Sequence, residues 1–119
     1  MQSTLDLDAT VVRTAAPKAE LRHWTLAREA DGLATLTFDK AGASTNTLSA
    51  DAMAELNRVL DDLDRAPPKG LVIRSGKAGG FIAGADIDEF GAISTEEGAI
   101  ALVKRGWDTF ERLAAVEYP

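Results

Sequence analysis

The chain of 119 residues contains no cysteine, a single histidine and few aromatic residues. The absence of cysteine excludes disulfide bonds, thiolate metal sites and thiol nucleophiles. A serine–histidine–aspartate triad could use only His23, which falls in a predicted strand with no serine motif beside it. The acids at 61–64 fit the solvated end of a helix better than a metal site, because a hard-cation cage needs convergent oxygens. We therefore expect neither a metal nor a covalent nucleophile.

Positive charge is also scarce, with 13 basic residues against 19 acidic ones and a net charge of −6. The acids are spread along the chain, so no electrostatic footprint predicts a nucleic-acid partner. No apolar run reaches the length of a membrane span, and residues 1–20 lack the features of a secretion signal. We expect a cytoplasmic protein with a polar, mobile leader over residues 1–20.

The remaining chain alternates strand and helix signals. Asp31-Gly32 predicts a hairpin between two strands, and Ser49 predicts the start of a helix that Pro67 and Pro68 end. Ser94, with Glu97 three residues later, predicts the start of another helix. The predicted elements are strands over 21–29, 33–38 and 70–75, and helices over 50–65, 86–90 and 94–115. This order indicates an α/β fold, a small sheet with helices packed on one side.

The stretch "GGFIAGADIDEF", residues 79–90, leaves the main chain almost bare before a short helix. Gly84 can adopt angles closed to other residues, and Asp86 and Glu89 have the spacing of a helix-capping pair. Amides at this point could hold a carbonyl oxygen or a developing oxyanion. The alternative is a small-residue turn that leads into a helix and binds nothing. Spacing alone leaves both interpretations open.

Three segments carry a family resemblance: "GLVIRSGKAGGFIAGADIDEF", "DGLATLTFDKAGASTNTLS" and "FERLAAVEYP". They resemble the enoyl-CoA hydratase or crotonase superfamily, particularly the hydratase domains of bacterial multifunctional fatty-acid oxidation proteins that also carry a dehydrogenase. The resemblance implies the N-terminal part of the crotonase (ClpP-like) spiral. Residues 21–119 would be the truncated N-terminal half of that domain.

The resemblance also implies a site. The backbone N–H of Ala85 would be one of two oxyanion-hole donors to the carbonyl of an acyl-CoA thioester, which is a substrate rather than a cofactor. Asn46 fits a turn residue that fixes its loop through bonds to the backbone. The residues implied to line the coenzyme A path are Ala43, Thr45, Ala83, Gly84, Asp86 and Ile87.

Two features depart from the family pattern or fall outside the chain. Asp88 stands where the family often has a basic residue near the coenzyme A phosphates, and the second donor and two catalytic glutamates would follow Pro119. The isolated chain is therefore expected to be inactive. We expect it to be part of a longer parent polypeptide that is oligomeric. Trp107 and Phe110 are predicted to be core residues, with an acyl pocket as the alternative. Another reaction of the superfamily, or a non-catalytic self-associating module, are the other possible functions.

Overall fold

The computed structural model describes residues 21–119, except for the side chains of Ile87 and Phe90, and the predicted leader lies outside the described residues. The elements are β1 (Trp24–Arg28), β2 (Leu33–Phe38), α1 (Ala50–Arg65), β3 (Gly70–Ser75), α2 (Ile87–Gly91) and α3 (Glu96–Ala114). This is the predicted order of strands and helices, and the boundaries of β2 and β3 agree with the prediction.

The three strands form one sheet in the order β1-β2-β3. β1 and β2 are antiparallel, and Gly32 takes a positive φ of 94° in the turn that joins them, as the Asp31-Gly32 signal predicted. The Asp31 carboxylate accepts the Leu33 N–H at 3.0 Å, which closes the turn. β2 and β3 are parallel, and α1 supplies the crossover that parallel strands require.

The core lies between one face of the sheet and α1. Alternate residues of β2 are fully buried, as the period of a strand requires, and they face apolar residues at helical spacing on α1. Trp24 stacks on Phe38 with ring centroids 4.2 Å apart, and its indole N–H donates to the Ala52 carbonyl at 2.9 Å. The buried apolar residues are Trp24, Ala34, Leu36, Phe38, Ala52, Leu56, Val59, Leu60 and Leu63.

Two polar residues fix α1 to its surroundings. Ser49 is the N-cap, as predicted, and its side chain accepts the Ala52 N–H. Glu55 is buried and accepts the backbone N–H groups of Arg22 and His23 at 2.9–3.0 Å. Because a buried charge is stable only when it is paired or hydrogen-bonded, these donors position the start of β1 on the helix.

The start of α3 differs from the prediction. Thr95, not Ser94, is the N-cap, and its side chain accepts the Gly98 N–H. Thr95 is the residue with extended backbone (φ −128°, ψ 152°), which is the conformation of an N-cap. The capping box predicted at Ser94 and Glu97 is therefore wrong by one residue.

The packing of α3 also differs from the prediction. α3 contacts α1 through polar residues: Arg112 bonds to Asp61 and Asp64 at 2.7 and 2.8 Å, and Asn57 donates to Thr109 at 2.8 Å. This contact turns the apolar stripe of α3 away from the core.

As a result, the side chains predicted as core are exposed, at 63% for Trp107 and 40% for Phe110. The core prediction for these two residues is wrong, because a helical stripe shows which face is apolar but not what it faces.

Candidate functional site

The turn of small residues lies beside the segment that precedes α1. The Ala83 N–H donates to the Asn46 carbonyl at 2.7 Å, and Leu48 bonds to both neighbours of Ala85, to the Gly84 carbonyl at 2.8 Å and the Asp86 N–H at 3.2 Å. These bonds make a single parallel bridge between Leu48 and Ala85. In such a bridge the flanking residues bond to the partner, so the N–H of Ala85 itself points away.

The N–H of Ala85 donates to no acceptor among the described residues, and Ala85 is exposed. Gly84 precedes it with φ 110°, and a Cβ built there would meet nothing within 4 Å. Glycine is thus needed here for its backbone angle rather than for lack of space. The result is a turn whose Ala85 N–H has no acceptor in the part of the chain that the structure describes.

Asp86 holds the other end of the turn. One of its oxygens accepts the Asp88 N–H at 3.0 Å at the start of α2, and the other lies 2.8 Å from the Lys40 ammonium. The hydrogen bond from Lys40 is the main reason why the pKa of Asp86 is below its ordinary value. Its predicted partner Glu89 does not complete a capping box, since its carboxylate accepts the N–H of Ala50 at the start of α1 instead.

Asn46 is 2% exposed and connects three segments. Its Oδ1 accepts the Lys40 N–H at 2.9 Å, while its Nδ2 donates to the carbonyls of Phe38 and Phe81 at 2.9 and 3.0 Å and to the Ser75 hydroxyl at 3.1 Å. The prediction that Asn46 fixes its loop through bonds to the backbone is confirmed.

The predicted site residues divide between two cavities. Thr45 and Ala83 line a small cavity of about 160 Å³. Ala85 and Asp86 line a groove of about 890 Å³ between α1 and α3. Gly84 joins the two pairs along the chain.

Two residues of the predicted set have no described side chain that lines either cavity. Ala43 lines neither, and its carbonyl accepts the Lys77 ammonium at 2.6 Å. Ile87 is the first residue of α2, and its side chain lies outside the described residues.

The groove beside Ala85 is mainly apolar. Leu48 and Met53 line it from one side, and Val103, Trp107 and Phe110 line it from α3. The two aromatic residues that were predicted as core are therefore surface residues of this groove. A hydrogen-bond donor in the wall of an apolar groove suits a ligand with a carbonyl next to a hydrocarbon chain.

Sequence reasoning missed the two lysines that hold the loop before α1. The Lys77 ammonium donates to the Asp39 carboxylate and to the carbonyls of Lys40 and Ala43 at 2.6–2.9 Å. The Lys40 ammonium reaches Asp86, 46 positions along the chain. Neither contact has a local sequence signal, because both depend on how β2, β3 and the turn are brought together.

No family model matches the chain. The chain is 39% identical over 99 residues, 82% of its length, to the fatty acid oxidation complex subunit alpha of Shewanella amazonensis, and equally to that of Shewanella oneidensis. This similarity confirms the predicted resemblance to the enoyl-CoA hydratase or crotonase superfamily. The chain spans 14% of the length of these two relatives.

Solved structures show the same fold. An enoyl-CoA hydratase from Mycobacterium smegmatis superposes with a TM-score of 0.73 and 24% identity, over 85% of this chain and 38% of that one. The predicted fold, the N-terminal part of the crotonase spiral, is confirmed. None of the helices that the structure describes is long and apolar enough to cross a bilayer.

Proposed function

We propose that the chain is part of an enoyl-CoA hydratase domain of fatty-acid oxidation, where it binds an acyl-CoA thioester and supplies one oxyanion-hole donor. The observation that carries the proposal is that Ala85, whose N–H has no acceptor among the described residues, lines an apolar groove. The sequence similarity supports it, since the relatives are subunits of a fatty acid oxidation complex.

In this proposal the thioester carbonyl accepts the Ala85 N–H. The acyl chain lies in the groove along Trp107 and Phe110, and the coenzyme A part passes over Gly84 to the small cavity at Thr45 and Ala83. Addition of water to a trans-2-enoyl thioester develops negative charge on that carbonyl oxygen. A preorganised donor to such an oxygen is worth about 3–4 kcal/mol in acyl chemistry.

We expect the 119-residue chain to bind thioester without hydrating it. Two carboxylates that line the groove are engaged, since Asp86 bonds to Lys40 and to the Asp88 N–H, and Glu89 accepts the Ala50 N–H. A general base for water is not supplied by either group. We propose that the parent polypeptide supplies the second donor and the acid–base groups, within an oligomer in the cytoplasm.

The test is an NMR titration of the chain with crotonyl-CoA and, separately, with coenzyme A. The amide of Ala85 should shift with crotonyl-CoA and much less with coenzyme A, because only the thioester has the carbonyl. Fluorescence of the exposed Trp107 should change on binding of the thioester, with Trp107→Phe as the control that removes this signal and leaves that of Trp24. If the amides of 83–87 stay fixed while other residues shift, the proposal is wrong.

The exposed stripe of α3 favours a second candidate, a self-associating module. Ile100, Val103 and Trp107 are 56–63% exposed on one face, and contiguous apolar surface of this kind marks interaction sites. Sedimentation over a concentration range separates the candidates. A monomer at all concentrations that still binds crotonyl-CoA would leave only the thioester function.

A further inference from the structure

Lys40 connects the two segments that hold Ala85. Its ammonium lies 2.8 Å from the Asp86 carboxylate, just after Ala85, and 2.8 Å from the hydroxyl of Thr47, just before Leu48. The side chains of the Lys40–Asp86 pair are only 13% and 21% exposed. The Lys104–Asp108 pair on α3 has the same length but exposures of 70% and 54%, as an ordinary surface pair does.

The backbone of Lys40 is itself fixed on both sides. Its N–H donates to Oδ1 of Asn46 at 2.9 Å, and its carbonyl accepts the Lys77 ammonium at 2.9 Å. Asn46 is buried, and the Lys77 side chain is 12% exposed. The ammonium of Lys40 is therefore extended from a rigid anchor and reaches Asp86 in one defined place.

The peptide group that carries the Ala85 N–H also contains the Gly84 carbonyl, which the Leu48 N–H holds at 2.8 Å, whereas Gly84 itself tolerates a wide range of backbone angles. The direction of this peptide group depends on what holds it and its neighbours. Leu48 holds the Gly84 carbonyl and the Asp86 N–H, and Lys40 holds the Asp86 side chain. Without Lys40, the Asp86 carboxylate would keep its bond to the Asp88 N–H but lose its bond to the ammonium, and the Asp86 N–H would keep its bond to the Leu48 carbonyl.

We propose that Lys40 is a positioning residue for the Ala85 amide: by tying Asp86 to Thr47 it restrains, together with the Leu48 bonds, the direction in which that N–H points. The inference rests on the proposed function for its consequence in thioester binding. In this proposal Lys40 does not contact the thioester carbonyl itself. Loss of Lys40 should therefore weaken the binding of the carbonyl by Ala85 and leave the binding of the coenzyme A part unchanged.

The first test needs no ligand and compares Lys40→Met with wild type by NMR. The Asp86 N–H, bonded to the Leu48 carbonyl, should exchange with solvent at least about tenfold faster in Lys40→Met, and the Ala85 amide should shift. Lys104→Met is the matched control, since it removes one ammonium from an exposed pair of equal length on α3. Unchanged exchange and shift in Lys40→Met would overturn the proposal.

The second test measures the bound thioester. Infrared spectra of crotonyl-CoA labelled with ¹³C at the carbonyl should show a lowered stretching frequency on wild type and a smaller lowering on Lys40→Met. Affinity for crotonyl-CoA should fall about threefold to tenfold, the range of one hydrogen bond, while affinity for coenzyme A stays the same. Lys40→Arg, which keeps the charge and its donors, should recover part of both effects.

Equal losses for crotonyl-CoA and coenzyme A in Lys40→Met would show a merely structural role and overturn the proposal. An unchanged carbonyl frequency on wild type would instead contradict the proposed function, and the exchange of the Asp86 amide would still decide the role of Lys40. Should Lys40→Met fail to fold, Thr47→Val removes the other acceptor of the ammonium and is expected to give a smaller change of the same sign.

Discussion

Replacing Asn46 with aspartate changes the buried hydrogen-bond network around this side chain. The Nδ2 amide group, which is a donor, becomes a carboxylate oxygen, which is an acceptor. The Nδ2 group donates to the carbonyls of Phe38 and Phe81 and to the hydroxyl of Ser75. In Asn46→Asp the introduced oxygen faces the same acceptors, and an ionised carboxylate cannot donate a hydrogen bond to them. The shape of the side chain is nearly unchanged, so the effect reports the hydrogen bonds and the charge.

The cost can be worked out from what each acceptor keeps. The Phe38 carbonyl also accepts the Gly76 N–H at 2.8 Å, and the Ser75 hydroxyl also accepts the Lys77 N–H at 2.9 Å, so each loses one bond of about 1 kcal/mol. The Phe81 carbonyl has no other partner among the described residues, and leaving it unpaired costs about 1–3 kcal/mol. We expect a loss of about 3–5 kcal/mol at neutral pH.

The pH dependence has a definite sign. Burial and the facing carbonyls raise the pKa of the introduced carboxyl above its unfolded value, so the folded variant holds its proton to higher pH. Stability of Asn46→Asp should therefore fall as the pH rises through that interval, beyond any change seen for wild type.

Urea unfolding at pH 4 and pH 7 measures both effects. The midpoint for Asn46→Asp at pH 7 should lie about 2 M below that of wild type at an unchanged slope. Asn57→Asp is the matched control, because the Arg112 guanidinium lies 3.3 Å from Oδ1 of Asn57 and would stabilise a carboxylate there. The reasoning is refuted if both variants lose the same stability, or if Asn46→Asp is more stable at pH 7 than at pH 4.

Three further predictions concern single residues. Glu55→Gln removes the charge that two backbone N–H groups of the β1 segment bond to, and should lower Tm by about 4–8 °C in calorimetry. Gly84→Ala places a side chain at φ 110° and should cost about 1–3 kcal/mol in urea unfolding, whereas Gly79→Ala, at an open position without positive φ, should stay within about 0.5 kcal/mol. The Lys40 bond lowers the pKa of Asp86 in the folded chain below its ordinary value of 3.8. The contribution of Asp86 to the free energy of unfolding is therefore fully present above pH 3.8 and is lost as the pH falls through the pKa of the folded state. A ¹³C titration of its carboxyl should have a midpoint below 3.8 in wild type and nearer 3.8 in Lys40→Met.

The elements of the fold were predictable because their signals are local. Asp31-Gly32 and Ser49 act within a few residues of themselves, and both do in the structure what their chemistry predicts. The error at Thr95 has the same origin, since two adjacent hydroxyl residues can each cap a helix and only the backbone angles choose between them. Local rules therefore place elements well and choose poorly between neighbouring caps.

The packing of α3 could not be predicted in this way. Periodicity identifies an apolar face, but Arg112 and Thr109 decide the contact with α1 through partners about 50 positions earlier in the chain. With these polar residues in contact with α1, Trp107 is 63% exposed and lines the groove between the two helices. The apolar stripe that looked like core thus became the wall of the candidate binding site.

The site itself shows what a local motif can and cannot determine. Small residues at 83–85 predict an accessible main chain, and the Ala85 N–H has no acceptor among residues 21–119. The direction of that N–H, however, depends on Leu48 across the bridge and on Asp86, which Lys40 holds. A chain with the same turn but no cation at position 40 would keep the donor at position 85 and lose one of the restraints on the direction of its N–H. The motif predicts that a hydrogen-bond donor exists, whereas the direction of that donor depends on the tertiary fold.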